Sequence, residues 1–141
     1  MSSSFDTILV PVNTINQVWD KVKGLIAKTS DEIMDENDVY QYLINGTYRL
    51  FIIVEKDSKE FVTAYTTCIA FYPHHKVCRI ITLGGSKLSE WYNDSITYVE
   101  NYAKEEECDY MEVFGRRGWV KIMKGYKEEC VVLRKQLINK G

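Results

Sequence analysis

The amino-acid sequence predicts a single α/β domain in which helices flank a mixed, mainly antiparallel β-sheet. A chain of 141 residues that is 45% hydrophobic suits one domain, residues 1–141, with one core. Three consecutive segments between residues 48 and 83 are rich in aromatic and β-branched residues, which favour strands. A long amphipathic segment separates them from a short apolar run at 108–114, and a helical crossover of this kind joins parallel strands. The predicted order of elements is β-α-α-β-β-β-α-β-α-β.

The first third of the chain predicts a strand followed by two helices. The stretch DTILVPV favours a short strand, and Pro11 places it at a sheet edge or at its own end. Thr14 to Gln17 has the form of a capping box, and apolar residues at helical spacing then predict a helix to about Lys28. A second, shorter helix follows an acidic connector and ends at Asn45-Gly46, since both residues tolerate the left-handed conformation of a helix end.

The middle of the chain predicts three strands in a meander. We expect strands at about 48–56, 61–72 and 77–83, with turn residues at 57–59 between the first two. Neither face of the strand at 61–72 carries a charge, which indicates a central strand covered on both sides. Pro73-His74-His75 forms the second turn, and we expect a loop role for the two histidines rather than metal binding.

The last third predicts a long helix, a strand, a short helix and a closing strand. Apolar residues at offsets of three and four give the long helix a strongly aromatic buried face. These residues are Leu88, Trp91, Tyr92, Ser95, Ile96, Val99, Tyr102 and Ala103. The strand at 108–114 is predicted to lie parallel to the strand at 77–83. Gly115 to Lys124 suits a short helix with Trp119 as its core anchor, and EECVVLRKQL, residues 128–137, a closing strand.

Composition narrows the classes of function. The formal charge is −2, the four cysteines are scattered without metal-binding spacing, and the apolar runs are far shorter than a membrane helix needs. We therefore expect a cytoplasmic protein with reduced thiols, no metal, no membrane contact and no nucleic-acid partner. The stretch from Arg116 to Lys127 holds five basic residues and no acidic one, so it is either a solvated helix face or the contact surface for a protein partner.

The order of elements and two short motifs resemble the GNAT superfamily of N-acetyltransferases, whose fold is called acyl-CoA N-acyltransferase-like. The likeness runs from about Ile8 to Leu137. Leu83-Gly84-Gly85-Ser86-Lys87 stands where the superfamily holds the pyrophosphate of acetyl-CoA, and Gly125-Tyr126 matches the pair that follows its last helix. The resemblance therefore implies acetyl-CoA as the cofactor, although two glycines before a serine equally suit a tight turn and a helix cap. Gly115 to Trp119 is similar to small bacteriophage-encoded members of this fold.

The sequence departs from the superfamily in its phosphate loop and in its proton-transfer residues. The loop is short, because only Ile80, Ile81 and Thr82 separate Arg79 from Leu83-Gly84-Gly85. Lys121 stands where active members often carry a tyrosine that protonates the departing thiolate, and a solvated lysine is the alternative interpretation. Glu112 is the first candidate for the general base, with Glu55 second, and a carboxylate on a strand is also a common ion-pair partner.

Two hypotheses about function follow from these matches and departures. The first is a non-catalytic acetyltransferase-like protein of phage type that binds a partner, as a virion or assembly component, and requires no cofactor; the departures favour it. The second is an acetyl-CoA-dependent N-acetyltransferase acting on an amine. Arg116 and Arg117 lie at a predicted helix start, where the helix dipole disfavours positive charge. We therefore expect one of them to face an anion or a partner's acidic surface, or else to pair internally with Glu112 or with Glu105-Glu106-Glu107.

Overall fold

The structure, a computed structural model, describes residues 4–28, 34–85, 87–114 and 121–138. Its strands are β1 Phe5–Val10, β2 Arg49–Glu55, β3 Phe61–Phe71, β4 Lys76–Gly85 and β5 Tyr110–Val113. Its helices are α1 Ile15–Ala27, α2 Glu36–Ile44 and α3 Leu88–Glu105, with a turn of 3-10 helix at Val12–Thr14 before α1.

The described strands form one sheet in the order β1-β2-β3-β4-β5. Neighbours are antiparallel except β4 and β5, which run parallel with α3 as their crossover. The prediction of a meander whose last strand has a parallel neighbour is confirmed. β1 lies at one edge of the sheet, and it ends one residue before Pro11, as the proline predicts.

A hydrophobic cluster covers each face of the sheet, because successive side chains of a strand point to opposite faces. The cluster on the α3 side consists of Phe51, Ile53, Val62, Tyr65, Cys78, Ile80, Trp91, Tyr92, Val99, Tyr102, Ala103 and Met123. The cluster on the side of α1 and α2 consists of Val10, Ile15, Val22, Ile26, Val39, Leu43, Leu50, Ile52, Val54 and Ala64. β2 supplies both, which is why its sequence is apolar on both faces.

The helix starts differ from one prediction. Thr14 precedes α1, but its hydroxyl donates to the carbonyl of Pro11 at 2.9 Å and makes no cap, so the predicted capping box is wrong. In the 3-10 turn before α1, the carbonyl of Pro11 accepts hydrogen bonds from both the hydroxyl and the backbone N–H of Thr14. A capping box occurs instead at α2, where Asp35 accepts from the N–H of Asn37 and Asp38 while Asp38 accepts from the N–H of Asp35.

The closing strand predicted at 128–137 does not form, and this prediction is wrong for the chain as described. Strand propensity needs a neighbouring strand to act on, and this segment has none in the described part of the chain. The predicted short helix at 115–124 and its anchor Trp119 lie largely outside the described residues, while 121–125 form turns.

Two further expectations concern membranes and metals. Among the described helices, none has the length and apolar character that spanning a membrane demands. Within the same ranges, no cluster of three or more His, Cys, Asp or Glu side chains is arranged to hold a metal ion. His75 lies in the β3–β4 turn, where its Nδ1 atom is 3.4 Å from a carboxylate oxygen of Asp109, the residue before β5, and its ring contacts the ring of Tyr110 edge-on.

Candidate functional site

In the described residues, β4 continues beyond the point at which its pairing with β5 ends. β4 has ten residues and β5 has four, and their pairing ends at Ile80 and Val113. One further bond follows, from the N–H of Phe114 to the carbonyl of Ile80 at 3.2 Å. Beyond it, Thr82–Gly85 pairs with β3 on one side but with no described strand on the other. We call this free edge of β4, together with the end of β5 beside it, the β4–β5 notch.

A β-bulge in β4 lies where the notch begins. Thr67 is opposite Ile80 and Thr66 is opposite Thr82, so Ile81 is an extra residue in β4. A bulge bends its strand and increases its twist. The bulge therefore accounts for the way β4 stops pairing with β5 while it stays paired with β3.

Three of the five residues predicted to bind the cofactor lie on this notch. Leu83, Gly84 and Gly85 form the end of β4, opposite residues 63–65 of β3, rather than the turn that the sequence predicts. Ser86 lies outside the described residues, and Lys87, the residue before the first turn of α3, has a left-handed φ of 62°. The Lys87 side chain makes no hydrogen bond that caps this helix. The first N–H groups of a helix lack partners within it, and together with the helix dipole they favour anions.

Lys87 and Glu55 form an ion pair beside the start of α3. The Lys87 Nζ atom lies 3.0 Å from a Glu55 carboxylate oxygen. The hydrogen bond from Lys87 lowers the pKa of the Glu55 carboxyl, and the same bond raises the pKa of the Lys87 ammonium. The second candidate base is therefore held by the residue at the helix start.

Glu112 sits in a polar network on the face of the sheet opposite the α3 cluster. Arg79 on β4 lies directly across from it, and their nearest side-chain atoms are 3.0 Å apart. Tyr72 donates its hydroxyl to the other Glu112 oxygen at 2.9 Å, and Arg79 donates to the Tyr72 hydroxyl at 3.1 Å. The Arg79 guanidinium also lies over the ring of Phe114, 4.7 Å from its centre. Both carboxylate oxygens of the first candidate base are thus engaged.

This network carries a signal in the sequence that our sequence reasoning missed. Arg79 and Glu112 are charged residues flanked on both sides by apolar residues of their strands, and charges on packed strands need partners. Tyr72 had no such signal, because the hairpin turn decides where its side chain points.

Lys121 and the pair Gly125-Tyr126 follow the residues outside the described ranges. Lys121 is exposed at the surface. Gly125 has a left-handed φ of 86°, which explains the glycine. Tyr126 packs against the α3 cluster, and its hydroxyl donates a hydrogen bond to Glu100 on α3 at 2.8 Å. Burial, and to a lesser degree the hydrogen bond to Glu100, raises the pKa of Tyr126. The side chain of Tyr126 therefore holds this part of the chain against α3. Arg116 and Arg117 lie outside the described residues.

The antiparallel meander, the α3 crossover and the β4–β5 notch define an acyl-CoA N-acyltransferase-like fold, and comparison with solved structures agrees. No protein-family model and no curated protein matches the sequence. A GNAT family acetyltransferase from Staphylococcus aureus superimposes with a TM-score of 0.64 at 17% identity, covering 95% of this chain and 99% of that one. Glucosamine-6-phosphate N-acetyltransferase from Arabidopsis thaliana gives 0.66 at 9% identity over 96% and 100%.

A third similar structure is a predicted acetyltransferase with acetyl-CoA from Clostridium acetobutylicum. It superimposes with a TM-score of 0.65 at 14% identity over 94% of this chain and 96% of that one. At such identities the likeness concerns the fold. The chain has the fold of the GNAT acetyltransferases.

Proposed function

We propose that the chain binds acetyl-CoA in the β4–β5 notch and transfers its acetyl group to an amine. The observation that carries this proposal is the bulge at Ile81 followed by four residues of β4, Thr82–Gly85, that pair with β3 and with no other described strand. A strand edge left open inside a sheet presents backbone N–H and C=O groups to an extended ligand, and the pantetheine arm of acetyl-CoA carries amides that match them.

The residues around the notch fit the other parts of acetyl-CoA. Gly84 and Gly85 carry no side chains, so a ligand can approach the backbone of β4 closely there. The start of α3 follows within three residues of Gly85, and the Lys87 side chain does not cap it, which suits a pyrophosphate. Lys87 adds a positive charge, which pairs with Glu55.

Acetyl-CoA, when bound, would supply an acetyl group activated as a thioester. The chain would then position the thioester, accept a proton from the attacking amine and return one to the departing thiolate. Pairing with β3 holds the backbone of Thr82–Gly85 in place. N–H groups of this segment that face the notch would be preorganised hydrogen-bond donors, and such donors stabilise the negative charge that develops on the thioester carbonyl oxygen. Glu112 lies one residue before the end of the β4–β5 pairing. It would accept the amine proton once the amine has replaced Tyr72 or Arg79 as a hydrogen-bond donor to its carboxylate. The exposed ammonium of Lys121 would be the proton donor.

A second candidate function is acetyl-CoA-independent binding of a protein partner. The network that engages both oxygens of Glu112 favours it, as does the lysine at position 121 in place of a tyrosine. The contact would be the basic stretch Arg116–Lys127, and a cytoplasmic, phage-encoded virion or assembly component would use it in this way. Those details stay predictions. The substitutions Arg116→Ala and Arg117→Ala test the proposed contact. We expect each to lower the affinity for the protein partner while changing the free energy of unfolding by less than about 0.5 kcal/mol.

Calorimetric titration with acetyl-CoA, followed by an acetyl-transfer assay on a panel of primary amines, tests the proposal. The diagnostic variant is Gly84→Val/Gly85→Val: valine suits a strand, and two branched side chains at successive positions project to both faces beside the notch. Gly24→Val is the matched control, because a Cβ at Gly24 on α1 meets no atom within 4 Å.

We expect micromolar binding that the double variant weakens at least about tenfold and the control leaves unchanged. Transfer that Glu112→Gln slows would support the catalytic role. Binding of acetyl-CoA without transfer to any amine would refute the catalytic part of the proposal and leave the fold as an acetyl-CoA-binding domain. A folded protein that shows no binding at millimolar acetyl-CoA would refute the proposal.

A further inference from the structure

We propose that the hydroxyl of Tyr72 occupies the position of the substrate's amine nitrogen, and that the substrate is an aromatic amine that binds Glu112 without a positive charge. This assignment rests on the proposed function, because it names the class of amine that the chain would acetylate. The hydrogen bonds that join Tyr72, Arg79 and Glu112 carry it, together with the exposed rings beside them.

The side chains of Tyr72, Arg79 and Glu112 form a closed ring of hydrogen bonds. The Tyr72 hydroxyl donates to Glu112 Oε2 at 2.9 Å and accepts a hydrogen bond from Arg79 Nη2 at 3.1 Å. The third bond runs from Arg79 Nε to Glu112 Oε1 at 3.0 Å. A substrate can therefore reach Oε2 by displacing a neutral hydroxyl, whereas reaching Oε1 means displacing a guanidinium.

Tyr72 is the member of this ring that a ligand can displace. Arg79 engages Glu112 Oε1 through two nitrogens, each at 3.0 Å, and its guanidinium lies 4.7 Å from the ring centre of Phe114. Tyr72 follows the end of β3 and is 46% exposed. Two backbone hydrogen bonds between Tyr72 and His75 hold the turn, so the tyrosine ring can rotate away while the backbone stays in place.

The ring of hydrogen bonds selects a ligand atom without a positive charge. The atom at the hydroxyl position donates to Glu112 and accepts from Arg79. A neutral amine nitrogen carries both N–H groups and a lone pair, so it can do the same. An ammonium has donors only and would place a second positive charge beside the guanidinium. Because Arg79 already balances the charge of Glu112, the site favours an amine that stays neutral at pH 7, as aromatic amines do.

The surroundings of Glu112 suit a ligand with an aromatic ring. Tyr72 is itself a ring that carries a neutral donor, and an aromatic amine reproduces that arrangement. Tyr110 and Phe114 lie two residues before and after Glu112, so each is about 7 Å from it along the strand and on the same face. They are 56% and 51% exposed, and aromatic rings pack favourably against one another. Either ring is thus available to the substrate.

Ligand-observed NMR titrations with aniline and benzylamine at pH 7, in the absence of acetyl-CoA, test the site. Aniline is neutral at this pH, and benzylamine is a cation of nearly the same size. We expect aniline to bind with a Kd of about 1–10 mM and benzylamine to bind at least about tenfold more weakly. Equal affinities, tighter binding of benzylamine, or no binding of aniline at about 50 mM would overturn the proposal.

The variant Tyr72→Phe removes the hydroxyl and keeps the ring. Aniline then no longer competes with a hydrogen bond to a charged acceptor, so its affinity should rise about tenfold. Adding Glu112→Gln should abolish this gain. Tyr98→Phe is the matched control, because Tyr98 is an exposed tyrosine on α3, across the sheet, and its change should leave aniline binding as it is. An affinity that Tyr72→Phe leaves unchanged or lowers would overturn the proposal.

Acetyl transfer separates the failure of this proposal from the failure of the proposed function. Where aniline is acetylated, Tyr72→Phe should lower the KM for aniline about tenfold without lowering kcat. Aniline binding with the responses given above, but without transfer, would refute the transferase activity and leave the amine site in place. Transfer to aliphatic amines alone, with a KM that Tyr72→Phe does not change, would overturn the aromatic-amine site and leave the transferase activity standing.

Discussion

Removing the indole of Trp91 is expected to be the most costly change in the first turn of α3. Trp91 is only 3% exposed and lies parallel to the ring of Tyr65 on β3, with 6.2 Å between ring centres. A large aromatic side chain buries about 150–250 Å², which at about 25 cal/mol per Å² corresponds to roughly 4–6 kcal/mol. Measured Trp→Ala changes in cores cost about 3–5 kcal/mol, because part of the cavity collapses. We therefore expect Trp91→Ala to lower the free energy of unfolding by about 3–5 kcal/mol.

Urea unfolding followed by circular dichroism measures this loss, and thermal melting gives a second estimate. Each kcal/mol lowers the Tm by about 2–4 °C for a chain of this size, so the variant should melt roughly 6–20 °C below wild type. Tyr42→Ala is the control, because Tyr42 is exposed on α2 and we expect its loss to cost less than about 1 kcal/mol. A Trp91→Ala variant that unfolds within about 1 kcal/mol of wild type would refute the packing of α3 on β3 described above.

Three further predictions concern hydrogen bonds, pH and thiols. Tyr126→Phe removes the hydroxyl that donates to Glu100, so urea unfolding should show a loss of about 1 kcal/mol, and an unchanged stability would contradict the bond. Because Lys87 lowers the folded-state pKa of Glu55, this pair stabilises the fold above the ordinary glutamate pKa and stops doing so as the pH falls through the lowered value. Glu55→Gln should therefore lose less Tm than wild type between pH 7 and pH 3, and an equal loss would argue against the pair. Burial raises the pKa of Cys78 to about 12, so a thiol reagent at pH 8 should modify Cys78 only after unfolding; rapid labelling of the native protein would contradict its burial.

The sequence predicted the helices and the meander well, because period and composition are local signals. The face of α3 is visible as apolar residues three and four apart, and the turn at Gly46 is visible because its φ of 82° suits glycine. The prediction of a closing strand was wrong because strand formation depends on a partner that is distant in sequence. Val131-Val132-Leu133 favours a strand in any local scale, but a strand exists only when another strand pairs with it, and no local pattern states whether that partner is present.

The geometry of the candidate site was less predictable than the strands that carry it. The sequence predicts a turn at Gly84-Gly85, but both glycines extend β4, and the bulge at Ile81 has no marker in a run of β-branched residues, since its position depends on the register with β3. The role of Glu112 as a base stays a prediction, and its partner Arg79 is 33 residues away in sequence. Only the parallel pairing of β4 with β5 brings the two side chains together.

Hydrogen exchange with and without acetyl-CoA tests most directly whether the β4–β5 notch is the cofactor site. In this experiment backbone groups of Ile81–Gly85 would bind the ligand, so peptides covering residues 80–90 should exchange more slowly at saturating acetyl-CoA, while peptides from α1 should not change. Unchanged exchange at residues 80–90 at millimolar acetyl-CoA, or protection confined to another part of the chain, would contradict the assignment of the notch.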